Sequence, residues 1–306
     1  HVLGTEHVTS GGHGLVSPHH LGFPHTRERF FVVASLEPIS VDPFPVRNGK
    51  KITSLQAISQ NNSELSKSDR QETRLLDPYI DCIEHWNKLL AKLPSEIELP
   101  SFPIWGDEID AIYPYAVRTP YSYTAVELRK LLKVRKSADL HKRELINLLP
   151  SYARERERHF PDWKIRFIKQ NREWFQKIYS HLGNRWISKL ESFPSSLRKL
   201  EWNCQGEDRN LWRYVLQFRP SGLRVKRYLA SPALVAMTTT QIPILGPKRR
   251  FITRVEGLRL QGFKDGHLLP DNHESAFRAL GNAVHVGVVR AIAKKGFEKK
   301  KKRRMK

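Results

Sequence analysis

Two arginines near the start of the chain have the type and spacing that best suit stabilisation of negative charge in a reaction. Arg27 and Arg29 flank Glu28, directly before the apolar run FFVVAS at 30–35, which predicts a buried strand. Residues two apart on a strand project to the same side, so we expect both guanidinium groups on one face. A guanidinium there can donate to an electronegative oxygen and stabilise developing negative charge. A solvated, salt-bridged strand edge is the alternative interpretation.

A second set of polar residues with a recognisable spacing lies near the end of the chain. Residues 250–263 read RFITRVEGLRLQGF, in which Thr253 and Glu256 have the spacing of a capping box. We predict a helix over 253–263, on which Glu256 and Arg259 are three residues apart and can pair. Another helix is predicted over 274–294, with a stripe of small and apolar residues suited to close packing. The stripe is formed by Ala276, Leu280, Ala283, Val284, Gly287, Val288 and Ile292.

In a chain whose net charge of +22 favours a polyanionic partner, a loop with two arginines suits the reading of nucleic-acid bases. Residues 219–226 read RPSGLRVK, where a glycine lets backbone approach a groove and arginine can bond guanine through O6 and N7. Short polar side chains downstream suit phosphate or adenine. The candidate recognition residues are Arg219, Ser221, Gly222, Arg224, Lys226, Thr238, Thr239, Thr240 and Gln241.

The charge of the chain indicates a polyanionic partner. The 306 residues carry a net charge of +22, of which residues 294–306 contribute +8 and the rest +14. The terminal run is typical of a solvated, disordered tail, whereas the basic body favours a nucleic acid. All seven tryptophans lie between 86 and 212 among basic side chains, and we expect most of them in a core.

Composition excludes several other classes. Cys82 and Cys204 stand alone, which argues against a disulfide scaffold and against a zinc site. No apolar run reaches the length of about eighteen residues that a membrane span needs, and no signal peptide opens the chain. We therefore expect a soluble protein of a reducing compartment.

Elements that position these groups are predicted from periodicity. Helices are expected over 76–93, 125–149 and 162–191, and strands with turns after Gln217. The first 25 residues, rich in glycine and histidine, are expected to form loop.

Three local patterns in one order carry a family resemblance. They are GFPHTRER at 22–29, RFITRVEGLRLQGF at 250–263 and ALGNAV at 279–284. They are similar to motifs eight, nine and ten of the DNA (cytosine-5) methyltransferases, and the long basic insert lies where that family has its target-recognition domain. The succession resembles the C-terminal half of these enzymes.

The resemblance implies roles for single residues. Arg29, with Arg27 beside it, would contact O2 of an extruded cytosine, and Asn282 and Ala283 would approach the methionine part of S-adenosylmethionine. Glu256 and Arg259 would be scaffold. The partner would be double-stranded DNA in a restriction–modification system, with a bacterial, cytoplasmic and nucleoid-associated location.

The implied fold is α/β: one edge of a Rossmann-like methyltransferase sheet with a large mixed recognition domain. The expected division is 1–36 as the end of the catalytic domain, 37–248 as the recognition domain, 249–293 as returning helices and 294–306 as the basic tail.

The sequence departs from the family pattern at several points. His25 replaces the glutamine before the arginines, and Ala233-Leu234 replaces a Thr-Leu pair. The Pro-Cys-Gln nucleophile motif has no match, because neither cysteine follows a proline. The Glu-Asn-Val motif and the FxGxG cofactor loop of the family have no match either. We therefore expect a chain that is inactive without a separate catalytic half. The alternatives are a non-catalytic DNA-binding remnant or specificity subunit, and a basic RNA-associated protein.

Overall fold

The computed structural model describes residues 2–3, 15–34, 53–133, 140–235 and 241–303 as a mixed α/β protein. Its helices are α1 Leu55–Ile58, α2 Lys67–Glu72, α3 Asp77–Lys92, α4 Ala125–Leu131, α5 Lys142–Asn147, α6 Asp162–Ile178, α7 Asn184–Glu191, α8 Arg254–Leu260, α9 His273–Asn282 and α10 Val286–Arg303. Its strands are β1 Val2–Leu3, β2 Leu15–Val16, β3 His25–Thr26, β4 Arg29–Phe30, β5 Val33–Ala34, β6 Ile104–Trp105, β7 Lys199–Asn203, β8 Val215–Arg219, β9 Gly222–Lys226, β10 Ser231–Pro232, β11 Ile244–Leu245 and β12 Arg250–Phe251.

The chain forms two compact units. The first comprises residues 1–77, 211–218 and 225–306, and the second comprises 78–210 and 219–224. The predicted recognition domain, 37–248, therefore contains the whole second unit, although its role as a recognition domain stays a prediction.

The first unit combines short strand pairs with the helices of both chain ends. β3 pairs in parallel with β10, whereas β2 pairs antiparallel with β4, and β11 pairs antiparallel with both β8 and β12. A small core of Val16, Val288 and Ile292 packs α10 against the start of the chain. Both ends of the sequence thus contribute to one unit.

The second unit is mainly helical. β6 and β7 pair antiparallel, and α4, α5 and α6 enclose a core that includes Trp105, Leu128, Leu145 and Ile168. Buried Glu108 lies in this unit, where it accepts hydrogen bonds from Tyr113, Tyr152 and Arg172. A polar network of this kind satisfies the buried carboxylate and fixes the surrounding elements.

The tryptophans confirm the prediction of a core role for most of them. Six of the seven are buried, at 9% exposure or less, and only Trp163 is exposed, at 48%. Helix α3 confirms the predicted helix over 76–93, and it buries Ile83, Trp86, Leu89 and Leu90.

The prediction of one buried strand over 30–35 is wrong. The segment contains the end of β4 and the separate strand β5, and Phe30 and Val32 are 49% and 55% exposed. Burial of an apolar run depends on what packs against it, and here the neighbours are two-residue antiparallel strands. Short strands also occur within the first 25 residues, where loop is expected from the sequence.

Predicted long helices are interrupted. The segments 125–149 and 162–191 each contain two helices, and the second is broken by a 3-10 turn at Tyr179–His181 before Gly183. The helix expected over 274–294 ends at Asn282, because Val286 N donates to the Gln261 carbonyl 3.0 Å away and holds the intervening residues out of the helix. The predicted stripe is therefore divided between α9 and α10.

The terminal basic segment also differs from expectation. Helix α10 continues to Arg303, into the run predicted as a disordered tail. Lysine and glutamate are good helix formers, so the run extends a helix whose beginning is packed. No helix among the described residues combines the length and hydrophobicity that crossing a bilayer requires. Nor do those residues gather three potential metal ligands.

Candidate functional site

The segment that carries Arg27 and Arg29 is shaped by a glycine. A 3-10 helix over Pro18–Leu21 ends at Gly22, whose φ of 87° lies in the left-handed region that glycine adopts without strain. The chain turns there, since Phe23 N donates to the Pro18 carbonyl at 3.2 Å. It then enters β3, beside β10.

Arg27 is a structural tie in the first unit: its buried guanidinium hydrogen-bonds to two segments that lie far from it in the sequence. Its side chain is buried, and its guanidinium donates to the carbonyl of Leu234 at 2.6 Å and to the carbonyl of Gly281. Its backbone N donates to Ser17 Oγ at 2.9 Å. Burial, with the nearby charge of Arg29, lowers its pKa to about 10, so it remains a cation at neutral pH. Arg27 thereby connects three segments that are distant in sequence.

Arg29 has a different environment. It is exposed, and its Nη1 donates to the backbone carbonyl of Glu28 at 2.7 Å. The expectation that Arg27 and Arg29 project together from one strand is wrong, because β4 begins at Arg29 and strand alternation does not reach Arg27. Arg29 is thus the arginine of this pair whose guanidinium faces solvent.

Two buried histidines lie beside this tie. His25 and His285 have ring centroids 6.2 Å apart, and Phe23 lies 4.5 Å from His285. Burial above all, and then the charges of His285 and Arg27, lowers the pKa of His25 to about 3. Burial lowers the pKa of His285 to about 4. Both rings are therefore neutral at physiological pH.

The neutral state of His25 predicts a loss of stability in acid. Unfolded, His25 takes up a proton below its ordinary pKa of 6.5, whereas the folded protein binds it only near pH 3, so the free energy of unfolding falls as the pH drops through this window. Between about pH 7 and pH 5 we expect His25 to account for a loss of about 2 kcal/mol. Denaturant titrations should show a flatter pH dependence for His25→Gln. Equal slopes for both proteins would contradict the assignment.

The residues predicted to contact the cofactor, Asn282 and Ala283, lie at the junction between α9 and α10. Asn282 is the last residue of α9 and is exposed, and Ala283 caps the helix with its N donating to the Ala279 carbonyl at 2.9 Å. The buried Gln261 side chain donates to the Leu280 carbonyl, and Gln261 O accepts from Val286 N. The segment at 250–263 thus fixes both sides of this junction.

Glu256 forms a different ion pair from the one predicted. Its carboxylate accepts from both terminal nitrogens of Arg250 at 2.7 Å, and both side chains are buried. Arg259 instead pairs with Asp265 at 2.6 Å near the surface. Glu256 and Arg259, which could pair by their spacing, do not pair with each other, because the capping role turns the Glu256 carboxylate back toward the N of Thr253, 2.8 Å away.

The predicted reading loop is a hairpin organised by one carboxylate. Glu201, on β7, accepts from Ser221 Oγ at 2.6 Å and from Arg224 Nε at 2.8 Å, and lies 3.8 Å from Arg219 Nη1. Gly222 has a φ of 125°, and a Cβ there would lie 2.7 Å from the Lys199 carbonyl oxygen. This glycine is therefore required by close packing of the hairpin on β7.

The remaining candidates for DNA recognition lie in the first unit or outside the described residues. Lys226 Nζ donates to Thr26 Oγ1 at 3.2 Å, and the Gln241 carbonyl accepts from Gln217 Nε2 at 2.6 Å. The prediction for Thr238, Thr239 and Thr240 falls on residues outside the described part of the chain.

Sequence reasoning missed Glu201, Leu234 and Gly281 as partners of the predicted arginines. Glu201 had a detectable signal, since it alternates with buried Leu200 and Trp202 on a strand and must face away from the core. Leu234 and Gly281 act through backbone carbonyls, for which a sequence gives no signal.

Both cysteines are fully buried, with no measurable exposure. Burial raises the pKa of the Cys82 thiol to about 12, and its sulfur lies 3.4 Å from the Leu197 carbonyl oxygen. A nucleophilic cysteine needs thiolate character and access to its target, and Cys82 has neither.

Comparison with known proteins places the chain in a family. A model of the C-5 cytosine-specific DNA methylases matches residues 13–298, and the chain belongs to that family. A curated relative is the Type II methyltransferase M.AluI of Cellulosimicrobium cellulans, 27% identical over 349 residues. The match covers 92% of this chain and 63% of that relative, so the chain spans less than two thirds of the relative's length. No solved structure matches the chain.

Proposed function

We propose that this chain supplies the DNA-recognising and base-contacting part of a site-specific DNA (cytosine-5) methyltransferase. The family match over nearly the whole chain carries the proposal. The Arg27 tie supports it, since it joins the GFPHTRER segment to Gly281 at the junction before Asn282. The relative's name suggests a restriction–modification setting, and the proposed substrate is cytosine in duplex DNA. The proposed architecture is one edge of a Rossmann-like methyltransferase domain together with the recognition domain.

Arg29 is proposed to act at the base. Addition of a nucleophile to C6 places negative charge on the cytosine ring, and a guanidinium at O2 stabilises that charge. The exposure of Arg29 supports this role, whereas Arg27 is already engaged with two carbonyls. We therefore assign base contact to Arg29 and the positioning of its segment to Arg27.

The α9–α10 junction is proposed to approach S-adenosylmethionine, which supplies the methyl group when bound. The exposed Asn282 amide has both donors and an acceptor and so fits the zwitterionic amino acid end of this cofactor. Ala283, held as the helix cap, has only a methyl side chain next to this amide. These two residues are the proposed cofactor contacts of the chain.

The nucleophile is proposed to come from outside these 306 residues. Both cysteines are buried, and neither follows a proline as in the family motif. The cytosine would have to leave the duplex to reach any such group, as enzymes that modify bases require.

A complementation assay tests the proposed function. We expect no transfer of labelled methyl groups from S-adenosylmethionine to duplex DNA by this chain alone. Adding a polypeptide that carries the family's Pro-Cys-Gln and Glu-Asn-Val motifs should restore methyl transfer to the DNA. The same addition should restore transfer when the chain carries Cys82→Ser. Transfer by the chain alone would overturn the split of roles, and specific DNA binding without restored transfer would favour a non-catalytic specificity subunit.

The hairpin is proposed to read DNA bases through Arg219 and Arg224, with Ser221 and Gly222 shaping it. Lys226, Gln241 and the threonines at 238–240 are proposed as further contacts to DNA. Because Glu201 holds both arginines, we also propose that it positions their guanidinium groups in the absence of DNA.

Changing these arginines should act on discrimination between DNA sequences. Arg219→Ala or Arg224→Ala should cost about 1–3 kcal/mol at the matched site and little at unrelated duplexes. Glu201→Gln should lower the ratio of matched to random affinity by raising the random affinity, since it releases both arginines. Titrations of both duplexes at several salt concentrations measure these effects. An unchanged ratio in all three variants would place base reading elsewhere.

A further inference from the structure

A basic cleft in the second unit lies outside every residue assigned above. It has a volume of about 620 Å³, and its lining includes Lys142 and Arg143 at the start of α5, with Arg154 and Arg156 from the segment after Ala153. Tyr121 forms part of its wall. No described residue that lines it carries a carboxylate, so the cleft has a concentrated positive charge.

Two of these cations are held in place by neighbouring groups. Arg154 Nε donates to the Leu149 carbonyl at 2.8 Å, and its Nη2 donates to the Asn147 carbonyl at 3.0 Å. Lys142 Nζ lies 4.9 Å from the centre of the Tyr121 ring. The carbonyls that Arg154 binds belong to the end of α5 and the residues just after it, so the two basic segments are joined at a defined spacing.

The other two cations are available to a ligand. Arg143 and Arg156 are exposed, and neither forms an ion pair with a described residue. Two of the neighbouring glutamates are engaged elsewhere: Glu144 accepts from His141 N at 2.7 Å, and Glu155 pairs with Lys164. The third, Glu157, is exposed and does not line the cleft. The local carboxylates therefore leave these two guanidinium groups free to bind an anion.

We propose that this cleft binds successive phosphates of the DNA backbone, as an anchor that does not depend on base sequence. Guanidinium groups match phosphate oxygens with paired hydrogen bonds, and two segments of cations suit a chain of anions better than a single one. The cleft is open and far larger than one phosphate group requires, which also favours a polymer. That the polymer is DNA rests on the proposed function.

The experiment compares two triple variants of the full chain. Lys142→Gln/Arg143→Gln/Arg156→Gln removes cleft charge but keeps Arg154, which binds the backbone carbonyls. Lys88→Gln/Lys92→Gln/Lys177→Gln removes the same charge from lysines elsewhere in the second unit. Binding of a fluorescent random-sequence duplex is measured across a range of salt concentrations. Circular dichroism melting confirms that both variants are folded.

The cleft variant should flatten the dependence of log affinity on log salt by about 0.9 for each phosphate that the protein no longer neutralises, hence by about two for a pair of phosphates. The control should change this slope by clearly less. The variant Arg143→Lys/Arg156→Lys should keep most of the slope, because it keeps the charge. Equal slopes in the cleft and control variants would overturn the proposal, since net charge alone would then explain binding.

Duplexes whose backbone carries neutral methylphosphonates provide a second measurement. Neutral linkages that weaken binding by the wild type should have little further effect on the cleft variant if the same phosphates are involved. Additive effects would overturn the cleft as their binding site. All of these measurements use random-sequence DNA and none depends on methyl transfer or on site discrimination. Their results therefore test the phosphate-binding cleft separately from the proposed function.

Discussion

Replacing Glu256 with glutamine is expected to lower the free energy of unfolding by about 3–5 kcal/mol, as breaking a buried ion pair on one side does. The carboxylate accepts from both terminal nitrogens of Arg250, from Thr253 N and from Gln60 N at 2.7 Å. A glutamine amide is uncharged and has one acceptor oxygen. The buried Arg250 guanidinium would therefore lose its compensating charge and one of its two hydrogen bonds to residue 256. Chemical denaturation of the purified chain measures the difference.

Asp265→Asn is the matched control for this prediction. It also removes one carboxylate from an Arg–acid pair of the first unit, but the side chains of Arg259 and Asp265 are 31% and 53% exposed. Surface pairs contribute about 0–1 kcal/mol, so we expect a change within that range. Comparable effects of Glu256→Gln and Asp265→Asn would mean that burial of the Arg250 pair does not govern stability here.

Replacing Arg29 with alanine is expected to lower turnover by about 10²–10³-fold in the complemented methyltransferase, with little change in DNA affinity. Removal of one donor to a developing negative charge has an effect of this size in other enzymes. The proposed contact of Arg29 with the base would strengthen as charge develops on the ring, so it would contribute to the transition state more than to binding. Steady-state methyl transfer and equilibrium DNA binding, measured on the same preparation, separate the two effects.

Two further variants sharpen the test of Arg29. Lysine at this position should rescue turnover only in part, because a point charge lacks the planar fork. Arg278→Ala removes another exposed cation of the same unit, one that pairs with Glu274 on α9, and should leave turnover unchanged. Near-normal turnover of Arg29→Ala would assign the arginine to a structural strand edge instead.

Periodicity and capping patterns are enough to predict the elements whose determinants are local. Helix α3 has its predicted bounds within a residue, and the Thr253–Glu256 capping box forms as its spacing indicates. The burial of most tryptophans also follows from side-chain size. The family assignment follows from three short patterns in order, which the match over 13–298 supports at the level of the family.

Features determined by distant contacts could not be predicted in the same way. Arg27 and Arg29 have the same type and nearly the same position, yet one is buried by carbonyls of residues 234 and 281 and the other is exposed. The interruption of the last predicted helix likewise depends on Gln261. Such outcomes require knowledge of which segments meet.

The Arg27 tie has a consequence for the order in which the chain folds. Its two carbonyl partners lie 207 and 254 residues further along the sequence. Contacts of such separation form late, because closing a long loop costs entropy before any interaction compensates for it. During synthesis, the second unit, whose last residues are 219–224, is complete long before Gly281 leaves the ribosome, so we expect the second unit to fold first. The segment around Arg27, although made early, would reach its native contacts among the last.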